Sequence, residues 1–188
     1  MAWEGALHVS LGPGAGRGAY VCPATSCLAV AARGKLRRAF PSDTPVPPAA
    51  QLAAMVREAA ERKVIALLGQ GRRMRCVAAG HEAVADRLGR GAAALLLVTL
   101  DAPEGAGPLA AAASAARIPV ARALTREGLG TALGASPRWA AAIEDPRLAA
   151  GILEYLALLE GTAGAAPGAG PSRGQQAVRA GGVQGGRD

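Results

Sequence analysis

The sequence reads as an α/β protein with a largely parallel sheet covered by helices on both faces. Two observations carry that reading. From about Ala49 to Glu160, short apolar runs alternate with stretches of helical spacing, the pattern of crossover units. The run Ala93–Asp101 is continuously apolar until its final Asp, as a strand buried on both faces must be.

Each element has its own justification. Leu52, Met55, Val56 and Ala59 recur at helix spacing. Met74–Ala78 reads as a short strand, and Glu82–Leu88 as a helix with Val84 and Leu88 on one face. After the central strand come a small-residue helix over Pro108–Ala116 and a strand over Ile118–Arg122. Thr125 is placed to cap a helix running to Leu133, with Gly134 closing it. Trp139–Ile143 is the next strand. Asp145 as N-cap and Pro146 at the first helical position open a last helix, with Leu148, Ile152, Tyr155, Leu156 and Leu159 as its stripe.

The two ends differ from this middle. Ala6–Leu11 alternates weakly as a strand, Gly12–Gly18 is a glycine-rich turn, and Ala19–Val21 is extended. Ser26–Phe40 is helical, with Leu28, Val30 and Leu36 at apolar positions. Four prolines within Pro41–Pro48 mark a semi-rigid linker. From Gly161 onward large apolar residues are nearly absent, so the tail is expected to stay disordered. The expected organisation is a module over 1–40, a linker over 41–48, an α/β domain over 49–160 and a tail over 161–188.

Composition narrows the function. The 188 residues are 51% apolar and 3% aromatic. Trp3, Tyr20, Phe40, Trp139 and Tyr155 are too few and scattered for a base-stacking platform of the RRM type. Two histidines, His8 and His81, exclude a multi-histidine metal site. Net charge is +7, of which residues 1–40 carry +4. Arginine supplies 19 of the 21 cations, and its planar fork suits bidentate phosphate contact.

The chain begins without a basic, apolar leader. Its longest apolar run, Gly91–Leu100, is far below the roughly 20 residues a membrane helix needs. Cys22, Cys27 and Cys76 form an odd set and read as reduced thiols of a cytoplasmic protein. Cys22 and Cys27 in C-x4-C spacing offer two zinc ligands where four are wanted, so neither a metal nor another cofactor is expected. There is no P-loop, no complete dinucleotide fingerprint and no nucleophile elbow. Glu144 and Asp145 are adjacent and would face opposite sides of a strand. The sequence therefore reads as non-enzymatic.

The sharpest local feature is Gly16-Arg17-Gly18-Ala-Tyr20-Val-Cys22-Pro23, followed by Cys27 and the cations Arg33, Lys35, Arg37 and Arg38. Glycines flanking Arg17 let a phosphate approach the backbone and free the guanidinium to reach it. A tight turn and a solvated helix end would show the same residues. The run Gly16–Pro23, with Cys27-Leu and Lys35-Leu-Arg-Arg-Ala-Phe40, closely resembles the signature of the YlxR family of small bacterial proteins. The resemblance covers about residues 5–40. It implies a small α+β nucleic-acid-binding module, with Gly16, Arg17, Gly18, Tyr20, Arg33, Lys35, Arg37 and Arg38 as RNA-contacting positions. The family usually begins with an Arg-Thr-Cys-x-x-Cys segment and a strand before this motif; here the chain starts Met1-Ala-Trp-Glu and no Cys pair precedes Cys22. By that pattern the module would lack part of its sheet.

The remainder, about residues 50–155, resembles the kink-turn-binding ribosomal protein superfamily. The resemblance rests on Ala66-Leu-Leu-Gly, Arg72-Arg-Met-Arg75, Ala79-Gly-His-Glu-Ala-Val84, Arg90–Asp101, Ile118-Pro-Val, Leu129–Gly134 and Ala142–Asp145. It implies a three-layer α/β/α sandwich and an RNA surface at the helix start after Gly80, where free amides can meet phosphates. Mapped here, that surface holds Arg72, Arg73, Arg75, Gly80, His81 and Glu82. Where that family places Asn, Glu and Lys, this sequence has Glu82, Ala83 and Asp86, and Asp86 has the wrong sign for phosphate.

Together the resemblances imply a bacterial RNA-binding protein linked to translation or RNA processing. Its expected partner is structured RNA, such as ribosomal RNA or the RNA of ribonuclease P. Phosphate contacts are common to RNA and DNA, so a DNA-binding transcriptional or nucleoid-associated regulator is one alternative. A protein-interaction adaptor, docking through Pro108–Ala116 and the last helix, is another.

Overall fold

A computed structural model describes residues 7–12, 17–40, 44–164 and 178–182. The chain divides into two compact units, Met1–Ala60 with Ala157–Asp188, and Glu61–Leu156.

The first unit begins with strands β1 (His8–Leu11) and β2 (Arg17–Val21). Helix α1 (Thr25–Val30) continues through a π-helical turn (Ala31–Lys35) into α2 (Leu36–Ala39). The expected helix is present, but its periodicity is not uniform. Leu28, Ala31, Leu36 and Phe40 are buried. The step from Ala31 to Leu36 is five residues, one too many for an α-turn. A π-turn, with its i→i+5 bond, absorbs the extra residue and keeps Leu36 on the inner face. Val30 was expected on that face and is instead 47% exposed. The cations fall outside: Arg33, Lys35, Arg37 and Arg38 are all exposed.

Residues 44–48 of the expected linker form neither helix nor strand, and residues 41–43 lie outside the described residues. Helix α3 (Ala49–Arg73) follows and runs well past the stripe that announced it.

The second unit carries β3 (Val77–Ala79), α4 (His81–Gly89), β4 (Leu95–Val98), α5 (Ala106–Ala115), β5 (Val120–Arg122), α6 (Arg126–Ala132), β6 (Ala140–Ile143) and α7 (Pro146–Gly164). Its sheet has the order β3-β6-β4-β5. The β4–β5 ladder is parallel and β6 is antiparallel to both β3 and β4, so β3, β4 and β5 share one direction and β6 alone opposes them. The expected parallel arrangement holds for three strands and fails at β6, which makes the sheet mixed. Apolar runs report burial on two faces, not strand direction, so the all-apolar β6 carries no sign of its reversal.

All four residues of β4 and all four of β6 are buried. Leu96, Val98, Ala140 and Ala142 join Val84 and Leu88 of α4 and Leu109 and Ala113 of α5 in one apolar cluster. Leu95, Leu97, Ala141 and Ile143 point to the opposite face by strand alternation and are 0% exposed. On that side α3 meets α7 and β3 closely: a Cβ on Gly71 would lie 2.5 Å from both Leu148 and Val77. Two helical layers therefore enclose the sheet, giving an α/β/α sandwich. The expected caps are in place. The Gly128 amide donates to Thr125 Oγ1 at 3.1 Å, and the Leu148 amide donates to Asp145 Oδ1 at 2.8 Å. Gly134 takes the left-handed φ of 53°. Among the described residues no helix is long and apolar enough to cross a membrane.

Within residues 161–188, where disorder was expected, two pieces are described and form regular structure, while residues 165–177 and 183–188 lie outside the described residues. Helix α7 extends to Gly164, and Val178–Gly182 form a strand, β7. β7 lies between β1 and β2 and is antiparallel to each. Side-chain composition misled here, because a central strand is held by backbone hydrogen bonds on both edges and needs few large side chains.

Candidate nucleic-acid interface

The first unit gathers one set of candidate residues. Tyr20 near the end of β2 and Lys35 at the end of the π-turn line a single cavity of about 460 Å³. Val21, Cys22, Cys27, Val30 and Leu36 also line it. Tyr20 is 64% exposed, so its ring reaches solvent at the cavity. Arg33 donates from Nε to the Ala29 carbonyl at 3.4 Å, which turns its stem along the helix. The sequence between Gly5 and Ser42 holds no Asp or Glu. The cations of this helix therefore face no carboxylate from their own segment. Gly18 lies within β2. Gly16 lies outside the described residues, as does the Arg17 side chain.

The thiols are not both buried, as inert core cysteines would be: Cys22 is half-buried and Cys27 exposed. The neighbouring Cys22 thiol pushes the Cys27 thiol above its ordinary range. A thiol held protonated is a poor nucleophile and a poor metal ligand. Among the described residues no three His, Cys, Asp or Glu side chains come together as a metal site would require.

The second unit gathers another set. Gly80, His81 and Glu82 line a cavity of about 490 Å³ with Pro137, Arg138 and Trp139. Gly80 has φ 98°, a left-handed value that glycine adopts freely, and this sets the sharp entry into α4. Its amide donates to the Ala140 carbonyl at 3.1 Å, tying the helix start to β6. His81 and Trp139 pack ring against ring, 5.7 Å between centroids. Arg138 and Trp139 were not among the sequence candidates. They precede β6 in sequence and meet Gly80 only because β6 lies beside β3.

Arg72, Arg73 and Arg75 are exposed but do not join that cavity. Arg72 and Arg73 end α3, where cations complement the helix dipole. Arg75 occupies the left-handed position of the following turn, φ 59°. From there to Gly80 the chain passes through β3, about 16 Å for five extended residues. The three arginines and the Gly80 turn therefore mark opposite ends of one strand.

Asp86 does not stand as an uncompensated negative charge. Arg90 holds it at 2.7 Å and Arg87 at 2.9 Å. Arg87 also donates to Glu144 at 2.8 Å. Glu144, more than Asp86, holds the Arg87 guanidinium above its already high range. This side of α4 is charge-balanced, whereas the helix of the first unit is not.

No family model matches the sequence, and no curated protein matches it. Among solved structures, the chain is similar to a protein of unknown function from Bacillus halodurans, at 25% identity and TM-score 0.49, covering 50% of this chain and 97% of that one. It is also similar to the Giardia lamblia 15.5kD RNA binding protein, at 20% identity and TM-score 0.45, covering 55% of this chain and 89% of that one.

Proposed function

We propose that this is a non-enzymatic protein that binds structured RNA, in the service of translation or RNA processing, chiefly through its first unit. One observation carries the reading. Arg33, Lys35, Arg37 and Arg38 are all exposed on one helix, and Lys35 shares a cavity with the exposed Tyr20. Guanidinium forks grip phosphates in pairs of hydrogen bonds. A tyrosine beside them offers a face to an unstacked base, which single-stranded loops of folded RNA present. The Gly16-Arg17-Gly18 segment, resembling the YlxR signature, adds a further phosphate contact. Neutralised phosphates release counterions, so the binding is salt-sensitive.

The second unit contributes weaker contacts through the Gly80 turn, where His81 and Arg138 flank the start of α4. Glu82 in that first turn opposes phosphate, so this unit adds avidity to the first rather than leading. The test is direct competition of a folded RNA against a DNA duplex of equal length for the full chain, beside an Arg33→Ala, Arg37→Ala, Arg38→Ala variant. RNA preference, lost at least tenfold in the variant, supports the proposal. Preference for the duplex, or equal binding by the variant, overturns it.

A further inference from the structure

We propose that the space between β1 and β2 is a strand-acceptor groove, and that residues Val178–Gly182 of this chain are its reversible occupant. This is a polypeptide-binding site and stands independently of the RNA reading.

Consecutive strands usually neighbour one another, yet β1 and β2 do not pair. β7 separates them. Leu11, Ser10, Val9 and His8 face Val178, Arg179, Ala180 and Gly181 on one edge. Val21, Tyr20, Ala19, Gly18 and Arg17 face Val178 through Gly182 on the other. Two strands flanking a third lie about 10 Å apart, too far to bond directly. Removing β7 would leave two inner edges of N–H and C=O groups unpaired, and such edges recruit another extended chain.

The occupant is built to be exchangeable. Val-Arg-Ala-Gly-Gly contains two glycines and one alanine, residues that weaken a strand interior. Its affinity rests on main-chain bonds, the mode by which extended peptides add to sheets. Residues 165–177 connect α7 to β7. Attachment within one chain makes the strand's binding intramolecular and raises its local concentration over that of a free peptide. A weak strand thus fills the groove in cis, and a free peptide competes poorly until the tail is disabled.

The experiment uses the full chain carrying Ala180→Pro. Ala180 faces both Val9 and Ala19, and proline there removes a ladder donor at the middle of a central strand. The probe is a fluorescent peptide spanning residues 175–188. It is expected to bind the A180P chain at least tenfold more tightly than the wild-type chain, and to lose binding when it carries Ala180→Pro itself. Backbone amides of β1 and β2 are expected to exchange at least tenfold faster in A180P than in wild type, and to slow again when the peptide is added. Equal peptide binding to both chains, no binding to A180P, or unchanged exchange would each overturn the proposal. So would tail exchange between copies in a concentration-dependent dimer, which would make a second chain the occupant.

Discussion

The His81 imidazole and the Trp139 indole lie 5.7 Å apart between centroids, tilted by 42°. The contact pins the start of α4 to the residue before β6. Trp139 also packs on the apolar cluster under α4 and α5. Tilted ring pairs of this separation contribute about 0.5–1.5 kcal/mol beyond buried area. Trp139→Ala should lower stability by about 2–3 kcal/mol, below the range for a fully buried ring, because the indole is half-exposed. His81→Ala should cost about 1 kcal/mol. Urea unfolding of the two variants checks both values. Equal costs would show that the tryptophan's packing on the cluster contributes little.

Two glycines in helices of the second unit should respond oppositely to alanine. A Cβ on Gly130 would lie 2.7 Å from the Ser136 carbonyl oxygen and 2.9 Å from Pro137 Cα. Both are backbone atoms, so the segment leading to Arg138 and Trp139 would have to move. Gly130→Ala should cost about 1–3 kcal/mol. Gly89 meets nothing within 4 Å, so Gly89→Ala should stabilise by about 0.4–1 kcal/mol through the unfolded chain. Melting temperatures of the pair decide it.

The π-turn makes a sharper claim about the first unit. Deleting Gly34 shortens the Ala31–Leu36 step to four residues, an ordinary α-turn, and keeps both side chains on the inner face. Deleting Ala29 instead rotates Leu28 away from Ala31, Leu36 and Phe40. The Gly34 deletion should cost within about 1 kcal/mol. The Ala29 deletion should cost at least about 2 kcal/mol, as losing a buried leucine does. Circular dichroism melts of the two deletions provide the comparison.

Asp101 gives the fold an acid-side dependence. Partial desolvation pushes its carboxyl up, but other groups outweigh this and hold it below the usual carboxylate range. These are the Arg126 amide, which donates at 2.9 Å, and the Arg126 guanidinium at 3.6 Å. The folded state therefore binds this proton less readily than the unfolded chain does. The resulting stabilisation is complete above about pH 4 and is lost as pH falls through the folded value. Asp101→Asn should show a smaller drop in melting temperature between pH 7 and pH 3 than the wild type. An identical drop would remove Asp101 from the account.

Much of the second unit was legible because burial and capping leave local marks. Thr125, Asp145 and the apolar runs around β4 and β6 sit where local chemistry placed them. Strand direction was not legible, since Ala140–Ile143 reads the same along either direction. The meeting of Arg138 with Gly80 depends on β6 lying beside β3, which no local pattern encodes. In the first unit the cations and the helix were legible, while the π-turn was hidden by a five-residue step that a period of 3.6 cannot register. β7 left no mark because its partners, His8–Leu11 and Arg17–Val21, are more than 150 residues away in sequence.

The proposed function has the arginines of the first unit holding nucleic-acid phosphates. The most direct measurement is a salt series of RNA-binding titrations on the full chain and on the Arg33→Ala, Arg37→Ala, Arg38→Ala variant. Each single-strand phosphate contact contributes about 0.7 to the slope of log affinity against log salt, so the variant should lose roughly 2 from that slope. An affinity unchanged between low and moderate salt, or the same slope in both proteins, would contradict it.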